Sequence, residues 1–124
     1  MRVVTIINGI ILTLVLSVLT AIWVAWAIAA GGDAAKGKEI YAKSCASCHG
    51  TTGKGEGAAA AALNPKPKDL TDKAYVSKLD DKYLQNVISK GGAGVGKSPL
   101  MPPWSTFKDE DVQNLIAYIR SLGK

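Results

Sequence analysis

Cys45-Ala46-Ser47-Cys48-His49 sets two thiols three residues apart with a histidine directly behind the second. That spacing suits covalent capture of a haem. Each cysteine can close a thioether to one vinyl edge of the porphyrin, and the adjoining imidazole is delivered beneath the iron as an axial ligand. Composition sharpens the reading: Cys45 and Cys48 are the only cysteines, His49 is the only histidine, and Met101 is the only methionine besides Met1. One haem, one nitrogen ligand and one thioether ligand exhaust the inventory.

Other uses of the same residues fit less well. A zinc site takes four Cys, His or carboxylate ligands, and the motif supplies three. A thioredoxin-like redox pair belongs at a strand-to-helix turn in a βαβ pattern, and the chain has no strand runs of that kind. A short-loop disulfide is the remaining alternative for an exported chain, because oxidising compartments favour it.

A chain of 124 residues carrying a formal charge of +5 allows one small domain. With its first thirty residues set aside, about ninety remain, which is marginal for a self-sufficient apolar core. A buried porphyrin supplies the missing apolar mass. Lysines are scattered rather than clustered, so nucleic acid is not indicated; they form a solvated face, part of it open to an acidic protein partner.

Residues 3–30 are an uncharged, largely apolar run preceded only by Arg2. At about 1.5 Å per helical residue it can cross a hydrocarbon core of roughly 30 Å. A cleaved export signal competes with a retained anchor, since Ala27-Ile28-Ala29 offers a small-residue cut, but the run is close to twice the roughly 15-residue upper length of a signal core. Trp23 and Trp26 lie near its far end, where aromatic rings settle at the lipid boundary. The expected organisation is an N-terminal transmembrane anchor or uncleaved signal over 1–32 and a haem domain over 33–124.

The remainder reads as helices between glycine- and proline-rich loops. Asp33 caps a helix through about Ser44 with Ile40 and Tyr41 facing inward, and Gly37, costly inside a helix by about 1 kcal/mol, marks a candidate crossing point. The alanine run 58–62 is a short helix or a loop. A further helix begins at Asp80, with Leu79 and Leu84 as a hydrophobic staple and Gly91 as its stop. The last runs from about Asp109 to Leu122, where Val112, Leu115, Ile116, Ile119 and Leu122 recur at helical spacing. Lys108 is a poor cap there, offset by Asp109, Glu110 and Asp111 in the first turn and by a Phe107–Val112 staple.

Residues 34–123 resemble a class I, monohaem cytochrome c of the bacterial type. The likeness rests on Gly37 and Tyr41 in the opening helix, Cys45-Ala46-Ser47-Cys48-His49, Met101-Pro102-Pro103-Trp104, and Ala117-Tyr118-Ile119-Arg120 in the closing helix. It implies an all-α cytochrome c fold wrapped around one covalent haem c, here preceded by a single transmembrane helix. It also implies a crossing of first and last helices where Gly37 meets Tyr118, and Met101 as the sixth iron ligand. A proline carbonyl would hold the second ring nitrogen of His49, with Pro65 and Pro67 both qualifying.

Met101 stands 52 positions beyond His49, enough for the chain to pass a haem edge and descend on the other face. Gly91-Gly92-Ala93-Gly94-Val95-Gly96 allows that path, and Pro102 and Pro103 stiffen the backbone presenting the sulfur. Trp104 either donates its indole N–H to a haem propionate or packs over the ring.

With His49 and Met101 filling both axial positions, iron has no open site for substrate. The thioether favours ferrous iron and a relatively high potential. The expected function is one-electron transfer, not catalysis, between donor and acceptor proteins in membrane complexes of respiration or photosynthesis, with no small-molecule substrate. The expected place is the bacterial cytoplasmic membrane, crossed once through residues 3–30, with the haem domain on the periplasmic side. Two alternatives stand: a soluble periplasmic shuttle after cleavage, and a haem-based sensor or gas-binding module if Met101 is not a ligand.

Overall fold

A computed structural model describes residues 31–123 of the chain. The expected membrane span at residues 3–30 lies outside them. Among the described residues no strand forms, and no helix is long and apolar enough to cross a membrane. The compact unit begins at Gly31.

Five α-helices follow in order: α1 Ala34–Ser44, α2 Ala46–His49, α3 Lys73–Val76, α4 Asp81–Lys90 and α5 Asp109–Leu122, with 3-10 turns at Ala58–Ala62 and Ala93–Val95. Sequence reading anticipated α1, α4 and α5 with their bounds. It missed α3, a single turn capped by Asp72, whose carboxylate accepts from the N–H groups of Ala74 at 2.9 Å and Tyr75 at 3.2 Å. The alanine run resolves as the first 3-10 turn.

Caps explain the helix starts. Asp33 Oδ1 accepts from the N–H of Ala35 at 2.8 Å and Lys36 at 3.3 Å, and Asp80 Oδ1 accepts from Tyr83 N–H at 2.6 Å, each satisfying donors that the first turn leaves free. At α5 the Lys108 side chain accepts nothing. Its backbone N–H donates instead to Asp111 Oδ2 at 3.2 Å, so the acidic first turn supplies the cap.

The largest packing contact joins α1 to α5. Gly37 makes it possible: a Cβ there would collide with the Asn114 backbone and stand 2.9 Å from Tyr118 Cβ. Around this crossing the core gathers Tyr41, Val76, Leu84, Val112, Leu115 and Ile119, all buried. Burying a side chain such as Leu115 contributes roughly 1.5–3 kcal/mol. Asn114, buried on the same face, accepts the Asp33 N–H at 2.6 Å through Oδ1 and ties the start of the domain to its last helix.

Candidate functional site

The Cys45–His49 motif is the junction residue Cys45 together with all of α2. Cys45 N–H still donates to Tyr41 O at 2.8 Å, while His49 N–H donates to Cys45 O at 2.9 Å, so one helical turn carries both thiols and the imidazole. The chain then reverses at Gly50, held at φ 79° and ψ 155°, a conformation reserved for glycine. Two backbone bonds close the loop over the motif: Gly55 N–H to His49 O at 2.8 Å, and Gly57 N–H to Cys48 O at 3.1 Å. The buried Tyr41 hydroxyl donates to Gly50 O at 2.9 Å and anchors the same reversal to α1.

The two thiols are unbonded, and Cys45, Cys48 and His49 are each half-buried. Burial pushes the Cys45 thiol up to about 11, with repulsion from Cys48 adding to it. Burial also draws the His49 imidazole below its ordinary value, opposed in part by the Lys68 carbonyl. The ring is thereby kept neutral, the form that donates a lone pair to a metal. Its Nδ1 is buried without a hydrogen-bond partner at bonding geometry.

That ring nitrogen was expected to face a carbonyl of Pro65 or Pro67. The Pro67 carbonyl packs on Gly55, where a Cβ would strike it, and Pro65 is exposed and follows a cis Asn64–Pro65 bond. The expectation of a proline came from the family resemblance; any residue supplies a carbonyl.

The backbones of Met101 and Trp104 both bond to the C-terminal end of α4. Gly92 N–H donates to Met101 O at 3.0 Å and Trp104 N–H to Ile88 O at 2.9 Å. Both side chains are half-buried. Trp104 stacks on Phe107 with centroids 5.1 Å apart and planes at 13°, and its indole N–H finds no protein acceptor among the described residues.

These residues fit a c-type haem. Two free thiols and a neutral imidazole share one turn, Nδ1 of that ring is enclosed, and the Met101 backbone is tied to the end of α4. Among the described residues no cluster of three or more His, Cys, Asp or Glu side chains offers a conventional metal site.

Comparison with known proteins agrees with this geometry. The family described as Cytochrome c matches residues 34–123. The cbb3-type cytochrome c oxidase subunit FixP of Bradyrhizobium diazoefficiens is 37% identical over 94 residues, which cover 75% of this chain and 29% of that protein. Cytochrome c-554(547) of Halothiobacillus neapolitanus is 36% identical over 94 residues, covering 73% of this chain and 98% of that protein. Among solved structures, a chain of the Kuenenia stuttgartiensis reducing HAO-like protein complex superposes with a TM-score of 0.56 at 25% identity, over 70% of this chain and 41% of the other. The chain thus spans 29% of the FixP subunit and 98% of cytochrome c-554(547).

Proposed function

Because the chain belongs to the cytochrome c family and so carries a covalently bound haem c, we propose that it moves single electrons through one haem attached at Cys45 and Cys48 and ligated by His49 and Met101. The haem supplies a one-electron ferric/ferrous couple. What the chain supplies is attachment, orientation and exclusion of competing ligands. The observation that carries the reading is the single turn holding both thiols and the half-buried His49, whose Nδ1 is enclosed.

Each residue has a defined task. Cys45 and Cys48 fix the position of the macrocycle. His49, kept neutral by burial, would donate its lone pair to the iron, and a nearby backbone carbonyl, that of Lys68 or Pro67, would accept from the other ring nitrogen and so set the tautomer and ring plane. Met101 would hold the iron through a soft thioether, which would favour the ferrous state and exclude small-molecule ligands. Rigid packing of α1 on α5 keeps this geometry the same in both oxidation states, so little rearrangement accompanies a transfer.

The similarity to a cbb3 oxidase subunit supports a membrane-anchored carrier or relay subunit of a respiratory or photosynthetic complex, held through residues 3–30 with the haem domain on the periplasmic side. The match along 98% of cytochrome c-554(547) favours a second reading, in which the domain alone is a diffusing periplasmic shuttle. Intact mass of the protein purified from its native cells separates them. The full chain plus one haem supports the anchored reading, a chain shortened near Ala30 plus one haem supports the shuttle, and a mass without haem contradicts both.

A further inference from the structure

Gly91 ends α4 at φ 71° and ψ 177°, a backbone region essentially closed to other residues. Its missing side chain matters a second time. A Cβ on Gly91 would stand 2.7 Å from the Met101 carbonyl oxygen, 2.8 Å from the Pro103 nitrogen and 3.0 Å from the Pro102 carbonyl carbon. All three are backbone atoms that cannot swing aside. Two hydrogen bonds bracket the same segment, from Gly92 N–H to Met101 O at 3.0 Å and from Trp104 N–H to Ile88 O at 2.9 Å. Residues 101–104 are therefore seated at both ends on the C-terminus of α4, with Pro102 and Pro103 stiffening the span between.

Gly96, in the same loop, provides the contrast. It also has a positive φ of 69°, but with ψ 28° in the left-handed region that other residues can enter, and nothing lies within 4 Å of a Cβ there.

The geometry points to Gly91 as the positioning residue for the sixth iron ligand, an inference that rests on Met101 ligating iron. Close approach at Gly91 fixes the Met101 backbone, so the cost of ordering the loop falls on folding and not on each formation of the iron–sulfur bond. An alanine at 91 is relieved by lifting residues 101–104 off α4, and the thioether leaves with them. Linkage makes the relation mutual: if the seat favours ligation, ligation holds the seat closed.

Gly91→Ala and Gly96→Ala in the full, haem-loaded chain test this. The ferric wild type and Gly96→Ala should show the same sulfur-to-iron charge-transfer band and the same potential. Gly91→Ala should lose the band, fall in potential and bind imidazole roughly tenfold or more tightly, because the open state is no longer a minor population. A Gly91→Ala protein with the wild-type band, potential and imidazole affinity overturns the assignment. A wild type without the band refutes Met101 ligation itself and the assignment with it, which separates that failure from the first. If Gly91→Ala does not fold, hydrogen exchange on the wild type decides. Displacing the thioether with imidazole should speed exchange of the Gly92 and Trp104 amides several-fold while leaving Leu115 unchanged; equal exchange at Gly92 and Trp104 with the band gone overturns it.

Discussion

The rings of Tyr41 and Tyr118 meet edge to face, centroids 5.1 Å apart and planes at 61°, beside the point where Gly37 lets α1 lie against the backbone of α5. An aromatic pair of this kind adds about 0.5–1.5 kcal/mol beyond its buried area. Its geometry exists only because the two helix axes approach so closely. Gly37→Ala drives a methyl into the Asn114 backbone, which should destabilise the domain by about 3 kcal/mol. For a domain of this size that is a fall in Tm of at least about 12 °C. Thermal unfolding of the haem-loaded protein checks it, and a Tm within a few degrees of wild type would show that the crossing tolerates a side chain.

Tyr41 carries a second duty through its hydroxyl, which anchors the reversal after His49 at Gly50 O. Tyr41→Phe leaves that carbonyl without its partner and should cost about 1–2 kcal/mol at neutral pH. Burial, with smaller contributions from Cys45 and Tyr118, raises the Tyr41 hydroxyl far above its ordinary value of 10.0. A raised pKa means that the folded state favours the neutral phenol. Its stabilising share is complete below about pH 10 and is lost as pH climbs above that, because the unfolded phenol ionises first. Urea titrations at pH 7 and above pH 10 should therefore show the wild type and Tyr41→Phe converging at high pH.

Arg120 on α5 reaches across to the α3–α4 junction. Its Nη1 donates to Val76 O at 2.7 Å and its Nη2 to Leu79 O and to Asp81 Oδ1, the last at 2.7 Å. The carbonyl bonds are partly buried, whereas the Asp81 side chain is 68% exposed. Arg120→Met should destabilise by about 2–3 kcal/mol through the unpaired carbonyls. Asp81→Asn should cost well under about 1 kcal/mol, as exposed ion pairs do. Equal losses from the two substitutions would show that the ion pair, and not the carbonyl bonds, carries the interaction.

Much of this molecule was legible in its residues because the decisive signals are local. Asp33, Asp80 and Gly91 announce helix ends through side-chain caps or their absence, and the spacing of Val112, Leu115 and Ile119 announces a buried face. The turn α3 was not legible, since four residues carry too little periodicity and Asp72 reads equally as a loop residue. Nor does sequence choose the carbonyl that would hold the His49 ring, because a backbone acceptor has no residue signature. Gly91 was read as a helix stop and as part of a flexible path to Met101, not as a seat for it. Its contact with Met101 joins positions ten apart through a loop whose path no local rule dictates.

Met101→Ala in the full haem-loaded chain tests the central claim most directly, by redox titration. With haem still attached at Cys45 and Cys48, the potential should fall by a sizeable fraction of the roughly 0.8 V range that axial ligation spans, and the ferric protein should gain affinity for imidazole. An unchanged potential, or a wild type that already binds imidazole as the variant does, would contradict an iron closed on both sides by His49 and Met101.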